Sequence, residues 1–239
     1  MWMTESSRRS SATYGEDTGT CVIQRSCQDV VDWCVSHGVA RRQASADTIQ
    51  DFYNASATNE IKAGFFAKRV VLVEGPTEAL ALPVYLSTVG LECAVEGVAV
   101  VPVMGKGNLA KWWRLFTVYQ IPTYVVFDND DQADTDGRKR CDVLSAIGVG
   151  EPAEVLGVRD LNIESAYTVF GADFETCLRG LFDGYADLET EARAFLGSSS
   201  KPLIARYVAR KLVENRDPDD PAWAQIELLV EAIRTVTAP

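Results

Sequence analysis

The fold is decided by one stretch of the chain, residues 68–90, which reads KRVVLVEGPTEALALPVYLSTVG. Its first part is a continuous apolar run that ends at Glu74 and Gly75. Gly75 allows a sharp backbone turn, and Pro76 suits the first turn of a helix. The remainder has helical character. The stretch therefore predicts a buried strand that turns directly into a helix.

Two further apolar runs repeat this pattern, GVAVVPVMG at 97–105 and PTYVVFDND at 122–130. Between them, residues 108–120 (NLAKWWRLFTVYQ) read as an amphipathic helix. Apolar strands that alternate with helices predict an α/β fold, in which helices flank a central parallel sheet. A fourth strand is either 153–158 (AEVLGV) or 166–170 (AYTVF), and the pattern does not decide between them.

Four segments are predicted along the chain. Residues 1–20 are rich in Ser, Thr and Gly and should be disordered. Residues 21–65 form a helical connecting segment, the α/β core spans 66–180, and a C-terminal helical region spans 181–239. Trp112 and Trp113 are neighbours on one helix, so one should face the core while the other is exposed or covered by a partner.

Composition and charge restrict the class of protein. The 239 residues carry a net charge of −11, and no apolar run approaches the roughly 20 residues that span a membrane. No signal peptide is visible, so a cytoplasmic protein with reduced cysteines is expected. A zinc site is not predicted, because the spacing of its conceivable ligands fits no compact pattern. Those ligands are Cys21, Cys27, Cys34 and His37.

Acidic residues follow two of the predicted strands. Glu74 ends the first strand and Glu78 lies one helical turn later, while Asp128 and Asp130 end the third strand. Ligands of open parallel sheets bind at these strand ends. Converging carboxylates repel each other unless a hard cation such as Mg²⁺ or Mn²⁺ binds them. Glu78 alone could merely favour the helix dipole. A solvated turn is predicted for Asp131, Asp134 and Asp136.

The motifs in this order resemble the Toprim domain of the overcoming lysogenization defect (OLD) family of endonucleases. The resemblance rests on three segments in this order, FFAKRVVLVEGPTEALALPVYL, VMGKGNLAKWWRLF and IPTYVVFDND. It covers roughly residues 60–215, and the ordered set is more specific than EG or DxD alone. The resemblance implies a Rossmann-like Toprim core over residues 66–180 that acts as a DNA nuclease with two divalent ions, Mg²⁺ or Mn²⁺.

The resemblance also assigns roles to particular residues. It implies a catalytic carboxylate at Glu74 that also binds a metal, and metal ligands at Glu78, Asp128 and Asp130. It implies a later acidic position, matched by Glu175 with Asp173 before it, or by Glu164 as the competing candidate. It implies a catalytic lysine, matched by Lys201. An ABC-type ATPase domain or subunit is an expected partner beside DNA, and phage defence is the expected setting.

The acidic net charge is an objection to DNA binding, since phosphates need clustered cations. Bound metal ions would reverse the local potential. Lys106, Lys111 and Arg114 are predicted to contact DNA at the same sheet edge. Other cations that could line the groove are Lys139, Arg140, Lys201, Arg206 and Arg210.

Two other classes of function fit parts of the sequence. A non-catalytic module that binds nucleic acid or an ATPase would keep the acidic cradle without cleaving. A metal-dependent phosphatase of haloacid-dehalogenase type also has a DxD after an apolar strand. That pattern normally uses the first strand and leaves Glu74 and Glu78 without a role, so it is less favoured.

Overall fold

The computed structural model describes residues 6–11, 21–41, 45–131 and 134–238. The strands are β1 (Ser6–Ser11), β2 (Cys21–Ser26), β3 (Arg69–Val73), β4 (Val98–Pro102), β5 (Thr123–Asp128), β6 (Asn162–Ile163) and β7 (Tyr167–Phe170). The last five form one sheet in the order β4-β3-β5-β7-β6, parallel except for the edge strand β6. The predicted α/β class is confirmed.

Helices cover both faces of this sheet. They are α1 (Cys27–Ser36), α2 (Ala46–Ser56), α3 (Asn59–Gly64), α4 (Pro76–Thr88), α5 (Cys93–Glu96), α6 (Lys106–Val118), α7 (Arg138–Ile147), α8 (Pro152–Val155), α9 (Phe174–Leu181), α10 (Tyr185–Leu196), α11 (Lys201–Glu214) and α12 (Pro221–Thr235). Alternate residues of β3 point to opposite faces. Val70 and Leu72 enter a core shared with α1, α2 and α6, whereas Val71 and Val73 enter a core shared with α4 and α9–α12.

The fourth parallel strand is β7, the second of the two predicted alternatives. Its residues pair with β5, and Phe170 lies opposite Asp128. In the other alternative, residues 153–155 belong to the short helix α8 (Pro152–Val155) instead. The pairing of Phe170 with Asp128 places the segment that follows β7 at the same sheet edge as the end of β5.

The N-terminal part differs from the predictions. Residues 6–11 form a strand that pairs antiparallel with residues 21–26, where disorder and helix were predicted. The rest of the predicted disordered segment, residues 1–5 and 12–20, lies outside the described residues. After β2 the segment is helical, as expected. The remaining segment boundaries stay predictions.

Both tryptophans of α6 are buried, which corrects the expectation that only one would be. Trp112 is 0% exposed and Trp113 is 5% exposed. The sheet covers one side of α6, and α1 and α2 cover the other. The ring centroids of Trp33 and Trp113 are 6.0 Å apart, and those of Tyr53 and Trp112 are 4.8 Å apart. The N-terminal helices thus take the place of the expected partner.

Within the described ranges, every helix is too short or too polar to cross a membrane.

Candidate metal centre

The candidate site is built on the carboxyl ends of two neighbouring parallel strands. Glu74 follows β3, and Asp128 is the last residue of β5. The backbone N–H of Asp128 donates a hydrogen bond to Oε1 of Glu74 over 2.8 Å. This bond crosses from one strand end to the next and fixes the Glu74 carboxyl against β5. The predicted convergence of Glu74 and Asp128 is therefore seen in the structure.

Glu78 joins them from the first turn of α4. Gly75 precedes this helix, and its backbone N–H donates to Oε2 of Glu78 over 3.1 Å. Glu78 is only 6% exposed, unlike a solvated acid that merely favours the helix dipole. Its charge also helps raise the pKa of Asp128, so the two carboxyls are electrostatic neighbours. Glu78 both caps the helix and belongs to the acidic group.

The electrostatics of this group are unfavourable to negative charge. Burial raises the pKa of Asp128 to about 9, and repulsion from Glu78 and Glu74 adds to the shift. Burial also raises the pKa of Glu74 to about 7, although the Lys106 ammonium opposes this. The pKa of Glu78 is raised as well, again mainly by burial. The three carboxyls lack the positive charge that would hold them all ionised.

Lys106 supplies part of the missing charge. Its ammonium pairs with the carboxylate of Asp130, donates to the Asp130 carbonyl over 3.1 Å and lies 3.7 Å from Oε1 of Glu74. Met104 and Gly105 have positive φ angles of 59° and 118°, a region that methionine rarely adopts. This turn starts α6 with the Lys106 side chain buried against the residues that follow β3 and β5. Lys106 was predicted to contact DNA, but it is 5% exposed and ion-paired.

The segment after β7 brings the later acidic residues. Asp173 caps α9, where its Oδ1 accepts from the N–H of Thr176 over 2.8 Å, and Glu175 lies in the first turn. Burial raises the pKa of Glu175, and Glu175 in turn helps raise the pKa of Glu78. For Asp173 burial acts upward too, but the hydrogen bonds from Thr176 outweigh it and lower the pKa. Glu175 thus adjoins the acidic group.

Glu164, the competing candidate, lies at the opposite edge of the sheet. It is exposed and precedes β7, and its N–H donates to the carbonyl of Tyr167 over 2.8 Å. Because β7 runs parallel to β5, the start of β7 is one strand length away from the carboxyl-end edge. The structure therefore brings Glu175, and not Glu164, to the site.

Lys201 approaches from the first position of α11. Its ammonium lies 3.8 Å from Oε1 of Glu175, and its side chain is 77% exposed. A pocket of about 170 Å³ lies here and is lined by both acids and cations. Its lining includes Asp173 and Glu175 together with Arg193 and Lys201. Arg193 was not singled out in the sequence, where it reads as an ordinary cation near a helix C-terminus.

The other two predicted DNA contacts lie elsewhere. Arg114 is 8% exposed and pairs with Asp142 of α7, so its guanidinium is not free for a phosphate. Lys111 is exposed, and its Nζ lies 4.2 Å from the ring centroid of Phe52 in α2. Both belong to the contact between α6 and its neighbouring helices. Arg140 is likewise buried, at 2% exposure, instead of lining a groove.

The donor set suits a hard divalent cation. Such ions favour carboxylate oxygens, and Oδ1 of Asp128 is buried with no hydrogen-bond partner among the residues described. Among the described residues, no three His, Cys, Asp or Glu side chains lie close enough together to bind one metal ion. The cation in contact with Asp130 is the Lys106 ammonium. The chemistry of the Asp128 carboxyl and its acidic neighbours fits a hard divalent cation.

Sequence reasoning missed the buried residues that hold the turn after β5. Asn129 is 2% exposed and Asp134 is 3% exposed, although Asp134 was assigned to a solvated turn. Arg140 binds both of them. The signal was weak, because a run of acids with Gly137 reads as a polar loop. Only the arginine that follows at the start of a helix hinted at a partner.

Comparisons with known proteins agree with this geometry. Residues 65–130 match the family model described as overcoming lysogenization defect protein-like, TOPRIM domain. The C-terminal region of the Xanthomonas campestris pv. campestris OLD protein has 19% sequence identity and a TM-score of 0.52, over 72% of this chain and 94% of that one. The corresponding region from Burkholderia pseudomallei has 21% identity and a TM-score of 0.49, over 71% and 98%.

The Xanthomonas structure shows a shared fold. None of the curated proteins searched matches the sequence. Taken with the family model, which matches residues 65–130, the strand order and the acidic strand ends support an OLD-like Toprim domain in this part of the chain. Such a domain indicates a nuclease-type or other nucleic-acid-related function.

Proposed function

We propose that this OLD-like Toprim domain is a divalent-metal-dependent DNA endonuclease that hydrolyses phosphodiester bonds. The observation that carries the proposal is the buried, unpartnered Oδ1 of Asp128 beside the Glu74 and Glu78 carboxyls. A buried carboxyl without a partner is costly to the fold. A cation that binds it offsets this cost and supplies the chemistry that phosphodiester cleavage needs.

The residues divide into two groups of ligands. Glu74, Glu78 and Asp128 would hold one divalent ion, with Asp130 beside them. Asp173 and Glu175 extend the acidic surface towards Lys201. From the family resemblance we propose two ions, Mg²⁺ or Mn²⁺. When bound, such ions polarise the phosphodiester and activate water for attack on phosphorus.

The protein's own side chains position the substrate. Lys201 is an exposed cation whose ammonium lies 3.8 Å from Oε1 of Glu175, and it would stabilise negative charge on the scissile phosphate. Arg193 lines the same pocket and would hold an adjacent phosphate. Glu74 is fixed by the backbone of Asp128, so its carboxyl keeps one orientation while it binds an ion or accepts a proton. A pocket lined by both acids and cations suits a phosphate held between metal and ammonium.

The biological setting rests on the resemblance alone. We propose a cytoplasmic protein that acts on DNA together with an ABC-type ATPase domain or subunit, in defence against phages. Weak intrinsic DNA affinity that falls steeply with salt fits the net charge of −11.

The test is cleavage of supercoiled plasmid in Mg²⁺, in Mn²⁺ and in EDTA. We expect metal-dependent nicking or linearisation by the wild type and none by Glu74→Gln or Asp128→Asn. Asp136→Asn is the matched control, because Asp136 is an exposed acid of the neighbouring loop that pairs with Arg138. It should cleave like the wild type. Absence of cleavage in both metals, or full activity of Asp128→Asn, would overturn the proposal.

One observation favours a second candidate, a module that binds nucleic acid without cutting it. The Lys106 ammonium already neutralises Asp130, as in a site that needs fewer metal ions. For such a module Glu74→Gln should leave DNA affinity unchanged, and the wild type should cleave nothing. A DNA-binding titration beside the plasmid assay separates the two functions.

A further inference from the structure

Arg140 is the largest buried cation beside the candidate site. It lies in the first turn of α7, only 2% exposed, and all five of its side-chain N–H donors reach acceptors on the turn between β5 and α7. Nε donates to Oδ2 of Asp134 over 2.9 Å. Nη1 donates to the carbonyl of Asn129 over 2.8 Å and to its Oδ1 over 3.0 Å. Nη2 donates to Oδ1 of Asp131 over 2.8 Å and to the carbonyl of Asp134 over 2.9 Å.

Asn129 connects this guanidinium to the acidic strand end. It lies between Asp128 and Asp130 in the chain, and its backbone N–H donates to the Phe170 carbonyl at the end of β7 over 2.8 Å. Its side-chain amide donates to three carbonyls at the end of α8 and just after it, those of Val155, Leu156 and Val158, over 2.8–3.2 Å. Hydrogen bonds thus hold Asn129 on two sides. They also restrict the backbone that carries the neighbouring carboxyl groups of Asp128 and Asp130.

Ordinary helix capping does not account for this network. Arg114 provides the comparison, since it is also buried and also pairs across the contact between α6 and α7. Arg114 binds one half-exposed carboxylate, Asp142, and its Nε has no partner among the described residues. Arg140 instead directs every donor to the turn that begins with Asp128.

We propose that Arg140 is a positioning residue that sets the separation and direction of the Asp128 and Asp130 carboxyls for a divalent cation. The inference rests on the proposed function, because it assumes that these carboxyls bind metal. Arginine is required because its planar fork presents five fixed donors, whereas lysine presents three on a flexible stem. Loss of the fork would leave the turn folded but free to adopt several carboxyl arrangements.

The experiment measures Mn²⁺ affinity by calorimetry, in the absence of DNA, for the wild type, Arg140→Lys and Arg114→Lys. Thermal unfolding in EDTA is recorded for each. We expect Arg140→Lys to bind Mn²⁺ about 10–100-fold more weakly, the usual effect of losing a residue that orients metal ligands. Arg114→Lys should bind like the wild type even where its thermal stability falls as much. Equal Mn²⁺ affinity of Arg140→Lys and wild type would overturn the proposal.

A second pair of variants serves if Arg140→Lys does not fold. Asp131 and Asp136 are both exposed acids of the same loop, but only Asp131 accepts from Arg140. Asp131→Ala should weaken Mn²⁺ binding more than Asp136→Ala at high salt, where the simple loss of charge is screened. Equal effects would again contradict the proposal.

The outcomes also separate this inference from the proposed function. If the wild type binds no Mn²⁺, the metal site and the inference both fail. If it binds Mn²⁺ and cleaves DNA while Arg140→Lys matches it, only the inference fails. If the inference holds, the Mn²⁺ concentration for half-maximal cleavage should rise in Arg140→Lys, and excess Mn²⁺ should restore the rate.

Discussion

Two aspartates six residues apart, Asp128 and Asp134, have opposite environments. Asp134 accepts from the guanidinium and backbone of Arg140 and from the backbone of Lys139, and although burial acts upward these bonds lower its pKa. Asp128 has a buried Oδ1 without a described partner, and burial and neighbouring acids raise its pKa to about 9. The difference separates a carboxyl that serves the fold from one that we propose binds a ligand.

The largest effect should come from isosteric amide substitution at the two positions. Asp134→Asn removes the buried counter-charge of the Arg140 guanidinium and leaves only the exposed Asp131 carboxylate, which should cost about 3–5 kcal/mol of unfolding free energy. Asp128→Asn removes no ion pair and should cost less than about 1 kcal/mol in the metal-free protein. Urea unfolding in EDTA at neutral pH measures both. Similar losses would mean that Asp128 is as structural as Asp134.

Added Mn²⁺ should make the Asp128 carboxylate important for stability. At a hundredfold excess over its dissociation constant, Mn²⁺ should stabilise the wild type by about 2.7 kcal/mol through mass action. Asp128→Asn should gain almost nothing, because its amide cannot replace the carboxylate charge. Thermal unfolding with Mn²⁺ and with EDTA tests this, and Asp136→Asn is the control that should respond like the wild type. A full response of Asp128→Asn would remove Asp128 from the ligand set.

The pH dependence of the unfolding free energy should also distinguish Asp128 from Asp134. The folded-state pKa of Asp128, about 9, lies above its ordinary value of 3.8, so the folded protein holds a proton that the unfolded chain releases. The resulting stability is complete below about pH 4 and is lost as pH rises through about 9. One such proton contributes a slope of at most about 1.4 kcal/mol per pH unit.

Urea unfolding of the metal-free protein across this pH range should show a steeper loss for the wild type than for Asp128→Asn. In Asp128→Asn, Glu74 still gives a loss of unfolding free energy with rising pH, up to its own pKa of about 7. Asp134→Asn should instead alter the acid side, because its lowered pKa gives stability that is lost as pH falls. Parallel curves for wild type and Asp128→Asn would contradict the raised pKa.

The smallest of these effects concerns Lys106. Its ammonium competes with a metal ion for Asp130 and Glu74, so Lys106→Met should tighten Mn²⁺ binding by roughly tenfold, about 1.4 kcal/mol. Lys111→Met, an exposed lysine of the same helix, is the matched control and should not change it. Weaker Mn²⁺ binding in Lys106→Met would show that the lysine supports the metal instead of competing with it.

The sequence predicted the strands and the acidic edge because both depend on short-range patterns. Apolar runs give β3, β4 and β5, and parallel strands bring their carboxyl ends together whatever the details of the loops. Glu74, Glu78 and Asp128 could therefore be placed without a structure. The choice of β7 over residues 153–158 depended on long-range pairing, which composition does not encode.

The partners of charged side chains were the part that could not be predicted. Lys106, Arg114 and Arg140 all read as surface cations, yet each is buried against a particular acid. Asp134 read as a loop acid for the same reason. Burial of a charge depends on which residue faces it across the fold, and this information lies 6–28 positions away in the chain.

Helix α6 has no solvent-facing side from Trp112 to Tyr119, since every residue there is buried. Its outer surface is covered by α1 and α2, so these helices belong to the same cooperative folding unit as the sheet. A truncated protein that begins at residue 66 should expose the indole rings of Trp112 and Trp113, aggregate on expression and yield no isolated core. The minimal autonomous unit is therefore larger than the stretch that carries the family motifs.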